Sequence, residues 1–251
     1  MIQFLKNIFS KDITFFCTEP GIKDIAPILR ASELTPDWWR KIDYNHNVTK
    51  DDNNLPLSHG TVKKCPGIIE FLRTGFIVPM WTDLHIHIKD GNVNCQSSNF
   101  NNFCSLNDDR QFIEHIPLEL RKKTLKVLKL HSPWAVKCKR GVRMLYLDPF
   151  FHFNEYFQIV PGIKHHNVIS NNFFLLLKKE GSFVIERGTP LCILFPYKNR
   201  NFTFTSKYLS LLQSEELKIA ASNIMSSKFS SAEAFKNLIS SKKCPFHDML
   251  K

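Results

Sequence analysis

Residues Leu145–Lys198 read LYLDPFFHFNEYFQIVPGIKHHNVISNNFFLLLKKEGSFVIERGTPLCILFPYK, the densest strand-forming sequence in this chain of 251 residues. Pro-Gly, Glu-Gly and Gly-Thr-Pro breaks divide it into four apolar runs. Runs of β-branched and aromatic residues that are bounded by turn residues are typical of strands. The sequence therefore predicts four strands in this stretch, at residues 153–160, 167–178, 183–186 and 191–196.

Strand patterns continue on the N-terminal side of this stretch. Apolar or alternating runs predict strands at residues 12–18, 76–80, 111–115 and 124–130. A hairpin is predicted around the Lys139-Arg140-Gly141 turn, between residues 135–139 and 144–147. Residues 81–89 alternate strictly, and the Asp90-Gly91 pair that follows is a strong hairpin signal. The alternation predicts one strand face that carries Trp81, Asp83, His85, His87 and Lys89.

Helical signals are few before residue 200. Thr35-Pro36-Asp37 is a good helix start, and of Trp38 and Trp39 one is expected to pack on the core and the other to cover a loop. The polar residues 43–61 and 92–110 predict loops, whereas residues 209–226 and 232–240 have helical periodicity. We therefore predict a mainly β fold, α+β overall. It comprises a β-rich domain at residues 1–200, a compact barrel or sandwich, and a C-terminal helical appendage at 201–251.

Composition describes a basic protein with free thiols. The formal net charge is +11 and the pI is near 9.3, which favours nucleic acid, anionic surfaces or acidic proteins as partners. The basic residues are scattered, however, which favours a solvated basic surface over a nucleic-acid footprint. Seven cysteines show no spacing typical of zinc sites. Without a secretory signal or a membrane-spanning apolar run, the sequence predicts a cytoplasmic protein, in the host cytoplasm if it is viral, with the virion as the alternative.

Several short motifs resemble an uncharacterised family found in tailed phages and in some bacteria. They are Thr35-Pro36-Asp37-Trp38-Trp39, Lys64-Cys65-Pro66-Gly67, Ile77-Val78-Pro79-Met80-Trp81, Ser132-Pro133-Trp134, Gly188-Thr189-Pro190 and Phe195-Pro196-Tyr197-Lys198. The resemblance covers residues 12–200 and implies no known activity. The family carries an acidic residue soon after the Pro-Gly of residues 161–162, where this chain has Ile163, Lys164 and His165.

A looser similarity is to the β-clip fold of dUTPases and dCTP deaminases. Val160-Pro161-Gly162-Ile163 and residues 186–191 have the strand-turn-strand rhythm of that fold. The chemistry of dUTPases needs a carboxylate just after the Pro-Gly, and this chain has none there. The similarity thus implies a β-clip nucleotide-binding protein without dUTPase catalysis, rather than the enzyme.

Histidines on the alternating strand form the clearest candidate metal site. His85 and His87 point to one face, which suits metal coordination, and a third histidine would complete a site. His165 follows the Pro-Gly turn, much as the last histidine of a cupin does, so a cupin-like Fe or Zn site combines His85, His87 and His165, with Asp83 as a carboxylate ligand. This arrangement requires the two strands to pair. An exposed polar strand face explains the same histidines without a metal.

Two sets of residues are candidates for binding a ligand. Trp81, together with Asp83, and Trp134, which follows Ser132-Pro133, are candidates to line a pocket. Tryptophans in such turns more commonly seal the end of a sheet. Four basic residues surround the predicted hairpin turn and, with Trp134 and Tyr146, are candidates to hold phosphate or single-stranded nucleic acid: Lys137, Lys139, Arg140 and Arg143. A solvated hairpin is the competing interpretation.

No motif specifies a reaction, so the sequence leaves open whether the chain is an enzyme. Our first hypothesis is a phage-type, non-catalytic binding or assembly protein with a basic surface. It predicts a protein partner or self-association, with nucleic acid as an alternative partner and no membrane association. The second is a cupin-like metal-dependent enzyme of the oxygenase type, and the third is the β-clip nucleotide-binding protein.

Overall fold

The computed structural model describes residues 12–47, 58–97, 103–121, 124–165 and 172–198, together with a few positions between 208 and 219. The chain separates into two compact units. The first unit contains residues 1–39 and 72–199, and the second contains residues 40–71 and 200–251. Sixteen strands occur in the described residues, fourteen in the first unit and two in the second.

The strands, numbered in chain order, have the following bounds: β1 Ile13–Cys17, β2 Leu29–Arg30, β3 Asn45–Asn47, β4 Ser58–Gly60, β5 Phe76–Pro79, β6 Leu84–Lys89, β7 Asn92–Ser97, β8 Cys104–Leu106, β9 Lys126–His131, β10 Trp134–Cys138, β11 Val142–Leu147, β12 Phe157–Ile159, β13 Gly162–His165, β14 Asn172–Leu177, β15 Gly181–Ile185 and β16 Pro190–Lys198. The helices are α1 Ile22–Ile25, α2 Asp37–Lys41, α3 Pro66–Thr74 and α4 Leu118–Arg121. Four 3-10 turns, at Val62–Lys64, Asp109–Gln111, Ile113–His115 and Phe150–His152, complete the regular structure of the described chain.

Four antiparallel sheets form the first unit, which confirms the predicted mainly β fold. Their strand orders are β1-β10, β13-β11-β16-β5-β2, β12-β14-β9-β8 and β15-β6-β7. The described strands close into no barrel. In the second unit, β3 pairs with β4, and the Thr61 N–H donates to the Tyr44 carbonyl at 3.0 Å. Two short strands therefore lie within residues 43–61, which the sequence predicted to be a loop.

A shared apolar core orders the sheets of the first unit. Its largest buried side chains come from alternate positions of paired strands, including Leu128 of β9, Phe157 of β12 and Phe173 of β14. Because a strand turns successive side chains to opposite faces, β6, β10 and β14 each contribute alternate residues to this core. Burying one such side chain stabilises the fold by about 1.5–3 kcal/mol.

The hairpin of β6 and β7 positions the first candidate site. Asp90 and Gly91 connect the strands with φ angles of 50° and 74°, so both residues lie in the left-handed region. Two-residue connections of this kind match the twist of the flanking strands. The turn fixes the register, in which Lys89 lies opposite Asn92 and His85 opposite Gln96. The prediction of a hairpin at Asp90-Gly91 is supported by this turn.

Residues 92–115 differ from the sequence prediction. The Asn-rich segment predicted to be a loop contains β7 and β8, because pairing with β6 and β9 outweighs its weak intrinsic strand preference. The strand predicted at residues 111–115 is wrong, since the chain there forms 3-10 turns. The Asp108 carboxylate caps the first of these turns by accepting the Arg110 N–H at 3.0 Å.

The hairpin predicted around residues 139–141 is also wrong in its pairing. The turn itself forms, with Gly141 at φ 84° and the Val142 N–H donating to the Lys139 carbonyl at 3.0 Å. Its two strands then separate: β10 pairs with β1, and β11 pairs with β13 and β16. Short-range sequence signals locate the turn, whereas the pairing depends on distant segments.

The helices predicted at residues 209–226 and 232–240 lie almost entirely outside the described residues. None of the described helices is both long and apolar enough to cross a membrane.

Buried ionisable groups predict that this fold loses stability at alkaline pH. Burial raises the pKa of Cys192 and of Tyr146, and it raises that of Cys138 from 9.0 to about 11. The folded state thus favours the neutral forms. Their contribution to stability is fully present below the unfolded-state pKa values and is lost as the pH rises above about 9.

The free energy of unfolding in urea should therefore fall between about pH 8 and about pH 10.5. Cys192→Ala should make this decline shallower, whereas Cys65→Ala should not, because Cys65 is exposed. A decline of equal slope in wild type and Cys192→Ala would contradict the prediction for this thiol.

Candidate functional site

The outward side of the β15-β6-β7 sheet carries polar side chains, and we call it the polar face. In β6, Leu84, Ile86 and Ile88 are buried, so the intervening His85 and His87 point outward. In register, the two histidines lie opposite Gln96 and Asn94 of β7 on one side and Val184 and Ser182 of β15 on the other. The polar face is thus defined by His85, His87, Asn94, Gln96, Ser182 and Val184.

Two shallow depressions open on the polar face. One, of about 270 Å³, is lined by both histidines, Asn94, Gln96 and Ser182. The other, of about 320 Å³, lies beside His85, Asp83 and Glu186. Within the first, His87 Nδ1 lies 2.7 Å from Ser182 Oγ, a hydrogen bond across the paired strands. This bond restrains the His87 ring, and His85 lines both depressions.

Asp83 holds a chain corner at the end of the polar face. Its Oδ1 accepts the Arg187 N–H at 2.7 Å. Nearby, the Gly188 N–H donates to the Met80 carbonyl and the Met80 N–H donates to the Thr189 carbonyl, both at 2.8 Å. These bonds join the passage from β5 to β6 with the passage from β15 to β16, and we call this arrangement the crossing corner. Asp83, predicted as a metal ligand, thus has a structural role here.

His165 lies in a different sheet from His85 and His87. Its strand, β13, pairs with β11, and the His165 backbone lies opposite Arg143. The pairing that the three-histidine hypothesis requires, between β13 and β6, does not occur. No group of three potential ligand side chains is found in the described part of the chain, which does not include the His165 side chain. The cupin-like Fe or Zn site stays a prediction without this structural support.

Trp81 and Trp134 are both buried, with 1% and 4% of their surface exposed. Trp81 precedes the first residue of β6, so the strict alternation predicted for residues 81–89 begins only at Leu84. Its ring therefore enters the core instead of joining the polar face. Trp134 opens β10 opposite Cys17 and belongs to the same core. Neither ring lines the two depressions of the polar face, and the binding role predicted for both stays a prediction.

The predicted basic residues lie around the turn between β10 and β11. Lys137, Lys139 and Arg140 are exposed, and Lys139 forms an ion pair with Asp12 at 3.5 Å. Arg143 is half-buried and lies in the five-stranded sheet opposite Tyr197. Trp134 and Tyr146, the aromatic residues named with them, are buried. The basic residues therefore lie beside rings that are covered, and their role in binding phosphate or single-stranded nucleic acid stays a prediction.

A group of exposed aromatic side chains in the first unit was not predicted from the sequence. Trp38 of α2 is 41% exposed, Phe150 is 65% exposed and Phe153 is 70% exposed. The rings of Trp38 and Phe153 stack with centroids 5.6 Å apart. Phe151 is buried, and its ring centroid lies 4.6 Å from that of Trp39. We call Trp38, Phe150 and Phe153 the aromatic surface.

Phe153 has an unusual backbone conformation. Its φ and ψ are 43° and 57°, the left-handed region that a bulky side chain rarely adopts. The conformation costs about 1–2 kcal/mol for a residue with a Cβ. Asn154 stabilises the following turn, because its Oδ1 accepts the N–H groups of Tyr156 and Phe157 at 2.9 and 3.0 Å. Phe153 therefore combines a strained backbone with an aromatic side chain that points into solvent.

The aromatic residues 150–153 gave an ambiguous signal in the sequence. The run Phe150-Phe151-His152-Phe153 is as aromatic as a buried strand, and a strand was predicted to begin at its last residue, over residues 153–160. The observed strand, β12, begins only at Phe157. For the tryptophan pair the expectation was correct, since Trp39 is buried and Trp38 covers the Phe150–Phe153 segment.

Comparison of the chain with known protein families, with curated proteins and with solved structures finds no match. The resemblances to a phage family and to the β-clip fold therefore stay predictions.

The crossing corner predicts a purely structural effect for Asp83. Asp83→Ala removes the acceptor of the Arg187 N–H, and the free energy of unfolding should fall by about 0.5–1.5 kcal/mol. Urea titration measures the change. Glu180→Ala, which removes another exposed carboxylate of the same unit, should change stability by less than about 0.5 kcal/mol. Equal stability of the two variants would refute the structural role.

Proposed function

We propose that this protein is a non-catalytic binding protein whose aromatic surface docks an acidic protein partner. The observation that carries the proposal is Phe153, whose ring is held outward at a cost in backbone strain. Strained backbone persists where the surrounding structure fixes it, and it occurs most often at binding and active sites. A folding role alone would be served better by a smaller residue or by glycine at this position.

The three exposed rings have the composition of an interaction site. Contiguous exposed apolar surface is uncommon on soluble monomers and marks places of association. Aromatic side chains supply much of the binding energy at protein interfaces. Trp38 contacts Phe153 and the buried Phe151, and Phe150 also contacts Phe151, so the three rings are ordered before a partner arrives. Such preorganisation lowers the entropic cost of binding.

Local contacts favour a protein over nucleic acid as the partner. The polar atom of Trp38, Nε1, already donates to the Phe151 carbonyl at 3.1 Å. Of the nearby lysines, Lys178 donates to the Asn154 carbonyl at 2.7 Å and Lys179 faces Glu155 at 3.7 Å. Binding of single strands combines stacking with free cationic groups along the backbone path. Both lysines are therefore already engaged with neighbouring oxygen atoms.

Charge favours a partner other than a second copy. The chain carries a formal net charge of +11, so two copies repel each other at long range. The same charge accelerates the approach of an acidic protein and makes its association sensitive to salt. We therefore commit to a partner with net negative charge and an apolar patch that receives the three rings.

Photocrosslinking followed by reconstitution tests the proposal. The full chain would carry p-benzoylphenylalanine in place of Phe150, or in place of Leu118 as the control, in the cells that make it. Leu118 is 72% exposed on α4 and lies outside the aromatic surface. The protein captured only at position 150 would then be purified, and its affinity measured by calorimetry for wild type, Phe153→Gly and Leu118→Ala.

We expect an acidic protein whose affinity falls about tenfold or more with Phe153→Gly, as for a residue at the centre of an interface, and stays unchanged with Leu118→Ala. The Phe153→Gly variant should remain folded. Relief of about 1–2 kcal/mol of strain offsets the lost ring stacking of about 0.5–1.5 kcal/mol. Capture of a second copy, capture of nucleic acid, no capture, or equal affinity for wild type and Phe153→Gly would each overturn the proposal.

A further inference from the structure

We infer that His85 and His87 form a two-histidine chelate for a late first-row divalent ion, Zn²⁺, Ni²⁺ or Cu²⁺, on the polar face. The site differs from the predicted cupin-like centre, because it needs neither His165 nor Asp83. It is also independent of the aromatic surface.

Strand geometry brings the two imidazoles together. Residues two apart on a strand have Cα atoms about 6.6–6.8 Å apart and side chains on one face. The burial pattern of β6 shows that both rings are on the solvent side, and both line the same depression of about 270 Å³. Imidazole nitrogens coordinate Zn²⁺ at about 2.0–2.1 Å, so two rings converging from these positions suit one ion.

The hydrogen bond to Ser182 prepares His87 as a ligand. Ser182 Oγ lies 2.7 Å from His87 Nδ1. When Nδ1–H donates to this hydroxyl, Nε2 keeps its lone pair and is available to a metal. Metal-ligating histidines commonly donate their second ring nitrogen to such a partner, which fixes the tautomer and ring orientation. The pairing of β15 with β6 therefore supplies the support that an isolated histidine pair lacks.

The surroundings select the class of ion. No carboxylate lines the depression that contains both histidines, which disfavours Mg²⁺ and Ca²⁺. Imidazole nitrogen suits zinc, nickel and copper. Asn94 and Gln96 line the same depression as the two histidines, so their amides can bond water that completes the coordination. Two protein ligands leave positions open to water or to a donor from another molecule.

Nuclear magnetic resonance of the untagged full chain tests the site residue by residue. Zinc chloride would be titrated while the imidazole ¹⁵N signals of His85 and His87 are followed, and magnesium chloride would serve as the comparison ion. Calorimetry on His85→Ala, His87→Ala and Ser182→Ala gives the affinities. His115→Ala is the matched control, because His115 is an exposed histidine on a 3-10 turn away from the polar face.

We expect the two histidines to shift together, at one midpoint, with Zn²⁺ and not with Mg²⁺. Either histidine variant should abolish this joint transition, and Ser182→Ala should weaken it about tenfold, as loss of a supporting hydrogen bond does elsewhere. His115→Ala should leave it unchanged. Separate midpoints for the two histidines, no shift with Zn²⁺, or an equal response to Mg²⁺ would overturn the inference.

Discussion

Alternate burial along the strands is the constraint on which the rest of the first unit depends. Leu84, Ile86 and Ile88 fill the core together with residues of β9, β12 and β14. A shift of β6 by one residue would place its histidines in the core and these aliphatic side chains in water, so the register is strongly specified. The tight Asp90-Gly91 turn and the pairing with β15 enforce the same register. The composition of the polar face is therefore a consequence of core packing.

The two candidate surfaces arise in opposite ways. The polar face is flat, regular and supported by backbone pairing on both sides of β6. The aromatic surface lies on α2 and on an irregular segment between β11 and β12, where ring contacts and the Asn154 side chain hold a strained residue. Regular pairing displays side chains without local cost, whereas the irregular segment requires compensation from its neighbours. That difference makes Phe153 the more informative residue about function.

Local sequence patterns predicted the strands themselves better than their partners. The alternation of β6, the Asp90-Gly91 turn and the apolar runs of β9, β14 and β16 were all visible, because period and turn chemistry are properties of neighbouring residues. The pairing of the strands could not be predicted from these local patterns. β10 pairs with β1 instead of β11, and β13 lies in a different sheet from β6. Asn-rich β7 was missed because its partner, not its composition, makes it a strand. The exposure of Phe153 was not predicted, because an exposed aromatic run and a buried one have the same amino-acid composition.

The crossing corner has a consequence for how the protein is made. Asp83 and Arg187 are 104 positions apart in the sequence. The pairing of β6 with β15 likewise cannot form until β15 has been synthesised. At synthesis rates of about 5–20 residues per second, roughly 5–20 s separate the two halves of this contact on the ribosome. During that interval β6 has only β7 to pair with, and the edge that later pairs with β15 is open. Contacts between distant segments form slowly, so we expect the hairpin of β6 and β7 to keep an unpaired edge until β15 has been made.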